Sequence, residues 1–237
     1  MSFKVFVIPF ILCVQTAFAD PSVVVAPTDH IFVPKGFDNN DSVEVVVTGN
    51  FSSSCFSRNT TKVQVEGDII DISIDAIEKK DKESTDTYCA TMLVPFKDVV
   101  SIGLLKAGTY TVLVNKNTPY EVKGSLQVEE TDNSLIDNYT YLDVLYIEQL
   151  SDTNRFKVKG MRYSPCLDLD HFETISNTKD TISILPIMKK VSDFCPMKMT
   201  PVTYTTEINL DSFSSGKLLL HVRTMDGKSV NTIITKE

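Results

Sequence analysis

The chain has 237 residues, of which 31 are acidic and 23 are basic, and its formal net charge is −8 at pH 7. Proteins that bind nucleic acids usually present a basic surface, so this balance argues against a nucleic-acid partner. Beyond the N-terminus the sequence has no apolar segment near the roughly 20 residues that a membrane-spanning helix requires.

The N-terminus predicts a secretory signal peptide over residues 1–19. Lys4 precedes an apolar run from Val5 to Val14, and Ala17-Phe18-Ala19 is the small-x-small pattern of a cleavage site. An uncleaved anchor is the alternative, but the run is shorter than the roughly 20 residues that span a bilayer. We therefore expect a secreted or periplasmic protein with no membrane span after signal cleavage.

The next segment, residues 20–130, shows the pattern of short strands separated by turns. Apolar residues alternate with the period of two that is typical of strands at 43–48, 62–65, 69–74, 109–114 and 123–128. The Ser- and Thr-rich residues 50–61 show no period and are predicted to form a loop, and the charged residues 78–87 are predicted to be exposed. About seven or eight strands without a helix favour a β-sandwich.

Residues 131–138 are polar and aperiodic, and they are predicted to be a linker. Further strands are predicted at 141–147, 155–159, 182–184, 218–222 and 231–235, and Asp226-Gly227 between the last two is a strong hairpin signal. The predicted organisation is a signal peptide at 1–19, a first module at 20–130, a linker at 131–138 and a second module at 139–237.

The two predicted modules share a spaced pattern that indicates an internal duplication. In the first, the strand-like VVVTG of residues 45–49 is followed by Cys55 six residues after the glycine. In the second, FKVKG at residues 156–160 is followed by Cys166 at the same offset. A second cysteine follows in each module, six residues before a proline.

Four cysteines remain after removal of the signal peptide, which contains Cys13, and two fall in each module. In an oxidising compartment an even number invites disulfides, and of the three possible pairings the repeat favours Cys55 with Cys89 and Cys166 with Cys195. A zinc site is the alternative, but the sequence has no C-x-x-C pair, and the cysteines lie in separate repeats.

The stretch Leu104-Leu105-Lys106-Ala107-Gly108-Thr109-Tyr110-Thr111-Val112 resembles the approach to the final hairpin in immunoglobulin-like modules of bacterial secreted and cell-surface proteins. The resemblance implies an all-β fold of two tandem immunoglobulin-like β-sandwich domains. The antibody pattern itself is not reproduced, because the chain has no tryptophan and Cys55 follows its strand. Such modules serve adhesion, carbohydrate binding, chaperoning and inhibition without a shared site.

No catalytic, cofactor-binding or metal-binding residues are predicted. None of the three histidines, His30, His171 and His221, is accompanied by a G-x-S-x-G nucleophile elbow, and His221 is expected to be a half-exposed strand residue. The richest polar cluster contains Asp168, Asp170 and His171. Its two carboxylates could help to hold Ca²⁺, but Ca²⁺ requires about six or more oxygens, so an exposed acidic loop is predicted.

These observations favour a non-enzymatic binding protein whose loops recognise an unidentified protein or glycan partner. The first alternative is a hydrolase with a site at the module junction, for which Asp168, Asp170 and His171 are the candidates. The second alternative is an inhibitor or chaperone that binds an extended partner by strand addition at the edge of the lead-in segment, residues 20–41.

Overall fold

The computed structural model describes residues 22–78, 88–131, 141–151, 154–214 and 216–236, and these residues form the predicted all-β fold. The first half has the strands β1 (Val23–Val25), β2 (Thr28–Phe32), β3 (Phe37–Asp38), β4 (Val43–Phe51), β5 (Phe56–Glu66), β6 (Ile69–Glu78), β7 (Val94–Gly103), β8 (Gly108–Val114) and β9 (Val122–Glu129). The second half has β10 (Asp143–Gln149), β11 (Arg155–Arg162), β12 (Leu167–Ser176), β13 (Thr181–Lys190), β14 (Thr200–Glu207), β15 (Gly216–Thr224) and β16 (Lys228–Lys236).

Three predicted segments fall wholly or largely outside the described residues. They are the signal peptide at 1–19, the charged stretch that continues to residue 87, and most of the linker at 131–138. In the part of the chain that the structure describes, no helix is long and apolar enough to cross a membrane.

The first half folds into two sheets. Strands β5, β6, β8 and β9 form the larger sheet, which contains a parallel β6–β8 pair, while β1 and β3 extend it against β6 and β9. Strands β2, β4 and β7 form a smaller antiparallel sheet. Alternate side chains from the two sheets meet in one core, among them Val43, Val45, Val47, Ile70, Ile72, Ile74, Val112 and Leu126. This shared core makes the half a β-sandwich.

The second half repeats the main pairings strand for strand. Strands β12, β13, β15 and β16 form one sheet with a parallel β13–β15 pair, and β10, β11 and β14 form an antiparallel sheet. Its core is a separate cluster that also draws on both sheets. The common topology agrees with an internal duplication, while the domain boundaries at 20–130 and 139–237 stay a prediction.

The prediction of a loop over residues 50–61 is wrong in most of its length. Strand β5 begins at Phe56 and pairs with β6, with an irregularity between Arg58 and Thr61. The predicted acidic loop around residues 168–170 is likewise part of β12, which pairs with β13. Both strands lie at a sheet edge and are largely exposed, so their sequences lack the apolar alternation by which half-buried strands are recognised.

Two disulfides close matched loops. Cys55 is joined to Cys89 and Cys166 to Cys195, with Cα atoms 5.3 and 5.1 Å apart. In each half the bond joins the residue just before β5 or β12 to the connection that leads into β7 or β14. Both bonds therefore stay within their half, as the repeat predicts.

The two halves contact each other through the outer faces of their sheets. Phe32 and Val46 of the first half are fully buried together with Leu219 of β15, and Ile233 of β16 packs against them. One face of β4 packs in the core of the first half, and one face of β15 packs in the core of the second. Because the contact between the halves covers their other faces, both strands are buried on both sides.

Candidate functional site

An open groove of about 380 Å³ lies where β1, the end of β4, the start of β5 and the β8–β9 turn meet. We call it the edge groove, and its lining contains no charged side chain. The lining residues are Val24, Val25, Pro27, Phe51, Ser52, Phe56, Asn117, Thr118, Pro119 and Tyr120. Its size falls in the range of roughly 300 to 1,000 Å³ that is usual for binding sites.

Asn115 holds the β8–β9 turn against the chain that leads out of β1. Its side chain is buried, and its Oδ1 accepts a hydrogen bond of 2.9 Å from the backbone N–H of Ile74. Its Nδ2 donates one of 2.9 Å to the carbonyl oxygen of Ala26. Asn115 and Asn117 have φ angles of 52° and 60°, in the left-handed region that asparagine tolerates better than most residues. These contacts fix two walls of the edge groove relative to β6.

Aromatic rings form the base of the edge groove. The buried Phe51 stacks on Phe96 with ring centroids 4.7 Å apart, and its centroid lies 6.4 Å from that of Phe56. Phe56 directly follows Cys55 in the chain, so the disulfide also restrains this wall. The apolar base is therefore packed in place before any partner arrives.

Strand β1 borders the edge groove and has an open side. It pairs only with β6 among the described strands, and its three valines are all exposed. On the β6 side, the carbonyl oxygen of Ser22 accepts from Glu78 N–H, and Ala26 N–H donates to Ile74. Because alternate residues of a strand face opposite sides of the ladder, the backbone groups of Val23 and Val25 point away from β6.

The acidic cluster predicted from the sequence lies on β12 in the second half and does not line the edge groove. Asp168 accepts a hydrogen bond of 3.1 Å from the Tyr204 hydroxyl and lies 3.5 Å from the Arg162 guanidinium. Asp170 lies 2.9 Å from both Lys189 and His171, and the hydrogen bond from Lys189, followed by that from His171, lowers its pKa. Both carboxylates are thus engaged by protein groups, and the described residues contain no cluster of three metal-ligating side chains.

The junction between the halves holds a buried histidine, so the expectation that His221 is half-exposed is wrong. Its exposed fraction is 1%, because the first half covers the outer face of β15. Its Nδ1 lies 3.0 Å from Asn231 Oδ1 and 3.5 Å from Glu44 Oε1, and no described group bonds its Nε2. Burial lowers the pKa of His221, and the nearby Glu44 carboxylate only partly opposes this.

Further polar contacts cross the junction beside His221. The Arg223 guanidinium lies 2.8 Å from Asp41, donates to the carbonyl oxygen of Gly36 and stacks over the Phe37 ring at 4.7 Å. A small cavity of about 50 Å³ borders these residues. It is far smaller than the roughly 300 Å³ of ordinary ligand sites, and Asp168, Asp170 and His171 do not line it.

The remaining predicted histidine, His30, also joins the halves. Its Nε2 lies 2.8 Å from Asp180 Oδ2. Burial raises the pKa of Asp180, but hydrogen bonds from His30, Asn177 and Thr181 outweigh burial and lower it overall. The structure therefore assigns His30 and His221 to the junction and leaves His171 exposed on β12.

Sequence reasoning missed the edge groove. Its walls come from four separate parts of the first half, and no local motif connects them. The available signal was the run Val23-Val24-Val25 before Pro27, three adjacent apolar residues where a half-buried strand would alternate.

One comparison with known proteins gives a match. A family model described as the ORF11 beta-sandwich domain matches residues 45–126, which run from β4 into β9 and make up about a third of the chain. The first half is thus similar to that domain, and the similarity supports its β-sandwich fold. No curated protein and no solved structure matches the chain.

Proposed function

We propose that this protein is a secreted, non-enzymatic binding protein that takes up an extended apolar segment of a partner polypeptide at β1. The edge groove carries the proposal: a strand with an open backbone edge borders an uncharged cleft with an aromatic base. A strand added to such an edge gains affinity from main-chain hydrogen bonds and selectivity from pockets for alternate side chains.

The composition of the edge groove defines the partner segment. With no charged side chain in the lining, a charged residue of the partner would lose its hydration without gaining an ion pair. An apolar side chain would instead bury surface against Phe51, Phe56 and Tyr120. We therefore expect an extended segment with alternate apolar residues and no proline at the positions that pair with β1.

The predicted export of the protein supports the same proposal. The predicted signal peptide and the two disulfides suit an oxidising compartment outside the cytosol. The likeness to secreted immunoglobulin-like modules then concerns the scaffold, and the edge groove supplies the recognition.

The proposal is tested by selecting peptides from a random display library on residues 20–237 and measuring their affinities for variants. Val25→Pro removes an outward N–H without removing a hydrogen bond to β6, and Val24→Asp places a charge in the groove. We expect each variant to weaken the binding of the selected peptides about fivefold or more, because a backbone hydrogen bond and apolar burial are each worth about 1 kcal/mol or more.

Leu104→Asp is the matched control, since Leu104 is also an exposed apolar residue and lies outside the groove. It should leave peptide affinity unchanged, and bound peptide should slow amide exchange at Val23 and Val25. Selected peptides that bind all three variants equally, or a library that yields no binder, would contradict the proposal.

A further inference from the structure

The connection between β13 and β14, residues 191–199, carries the most exposed group of large apolar side chains in the second half. We call it the β13–β14 loop. Val191 is 54% exposed, Phe194 81%, Met197 88% and Met199 47%. Isolated exposed apolar residues are ordinary, but several within one short loop mark an interaction surface.

The β13–β14 loop is anchored at three points, so these side chains are held outward. Cys195 at its centre is bonded to Cys166. The backbone N–H of Val191 donates to the carbonyl oxygen of Cys166 at 2.7 Å, and that of Lys198 donates to Tyr163 at 2.8 Å. Anchoring reduces the conformational entropy that the loop would lose on binding.

Two of the three lysines around the β13–β14 loop form ion pairs with acidic side chains, and the third does not. Lys190 pairs with Asp193 at 3.0 Å, and Lys189 pairs with Asp170 at 2.9 Å on the adjacent strand. The ammonium group of Lys198 has no ion-pair partner in the described part of the chain. The loop therefore presents apolar side chains next to neutralised acids and one available cation.

The character of the β13–β14 loop distinguishes between two classes of partner. Its large apolar side chains are 47% to 88% exposed, so they protrude and can enter a partner. Phenylalanine and methionine occur in protein–protein interfaces as well as in membrane interfaces, whereas lysine is depleted in protein–protein interfaces, so the lysines in and beside the loop distinguish the two classes. Apolar residues beside lysines are instead typical of protein segments that lie in a membrane interface.

We propose that the β13–β14 loop inserts Phe194 and Met197 into the headgroup region of a phospholipid bilayer and acts as a peripheral membrane anchor. Lys198 lies at the level of the lipid phosphates, and the rest of the second half stays in water. A few partly buried apolar side chains give a binding constant on the order of 10³ to 10⁴ M⁻¹, about that of a single myristoyl chain.

The absence of tryptophan from the chain makes the test direct. Phe194→Trp places a single fluorophore at the tip of the loop, and Leu104→Trp places one at an exposed apolar position of the first half, where Leu104 is 71% exposed. The probes are vesicles of phosphatidylcholine alone and of phosphatidylcholine with phosphatidylserine. We expect the emission of the Phe194→Trp variant to shift to the blue and to be quenched by brominated lipid, while the Leu104→Trp variant does not respond.

Phosphatidylserine should strengthen binding about fivefold, the effect of one lysine near an anionic surface, and about 0.5 M salt should remove that gain. Lys198→Gln should lose the gain and keep binding to phosphatidylcholine. Both tryptophan variants replace exposed side chains, and unchanged thermal unfolding verifies their folds. An unshifted spectrum of the Phe194→Trp variant with both kinds of vesicle overturns the proposal and leaves a protein partner as the occupant of this loop.

Discussion

At the scale of single residues, the repeated glycines Gly49 and Gly160 owe their positions to backbone contact. A Cβ atom on Gly49 would lie 2.1 Å from the carbonyl oxygen of Pro27, and one on Gly160 would lie 2.4 Å from that of Asp143. The neighbouring strand, β2 in the first half and β10 in the second, has a register shift at this point. The repeat thus preserves the close approach of two strands next to a bulge.

Gly160→Ala should therefore destabilise the protein by about 1 to 3 kcal/mol, the usual cost of forcing extra volume into packed structure. Gly124→Ala is the control, because the nearest atom to its added Cβ is a side-chain methyl of Val33, which yields more easily than backbone. Chemical denaturation of both variants measures the difference. Equal losses would show that backbone contact is not the reason for the glycine.

At the scale of elements, the disulfides hold connections that lack secondary structure of their own. Residues 88–93 and 191–199 contain no strand, and most of their side chains are exposed. Burial of apolar side chains therefore contributes little to the stability of these two connections. The disulfide that links each connection to the start of β5 or β12 holds it in place.

Replacing Cys166 and Cys195 together by alanine should lower the free energy of unfolding by about 3 to 4 kcal/mol. The bond closes a chain segment with a sequence separation of 29 residues, and the loop-entropy relation gives this magnitude. Urea denaturation measures the loss, and non-reducing digestion with mass spectrometry identifies the bonds in the parent protein. A peptide that links Cys55 or Cys89 to a cysteine of the second half would contradict the arrangement.

At the scale of the whole molecule, the junction makes stability sensitive to mild acid. The buried His221 is faced by Glu44 of β4, Arg223 of β15 and Asn231 of β16, and Arg223 is itself paired with Asp41. The pKa of His221 is lowered in the folded state, so the unfolded chain accepts a proton first as the pH falls. Stability is then lost from about pH 6.5 downwards until the folded pKa is reached.

We expect the free energy of unfolding to fall between about pH 7 and pH 5, by about 1.4 kcal/mol for each unit by which the folded pKa lies below its ordinary value. His221→Phe keeps a ring beside Phe37 and should flatten this dependence, even if it destabilises the protein at pH 7. His171→Ala removes an exposed histidine and should retain it. Equal slopes for the parent protein and His221→Phe would exclude His221 as the cause.

Much of the fold follows from the sequence because its signals are local. Alternation along residues 43–48 and 109–114 reports a strand with a buried face. Asp226 and Gly227 have φ angles of 59° and 62°, so the predicted hairpin turn has the left-handed conformations that this dipeptide favours. The matched cysteine offsets likewise predict the disulfide pairs, because repeated spacing places corresponding residues at corresponding points of the two halves.

Only the tertiary structure shows the features that arise where separate parts of the chain pack against each other. His221 occupies a position that alternation assigns to an outer face, and only the packing of the first half onto β15 buries it. The edge groove combines Val24, Phe51 and Tyr120 from distant parts of the chain, so a local pattern could indicate the strand β1 but not the groove beside it. The polar sequences of β5 and β12 become strands because a neighbouring strand supplies hydrogen bonds, and that pairing energy is absent from any single stretch of sequence.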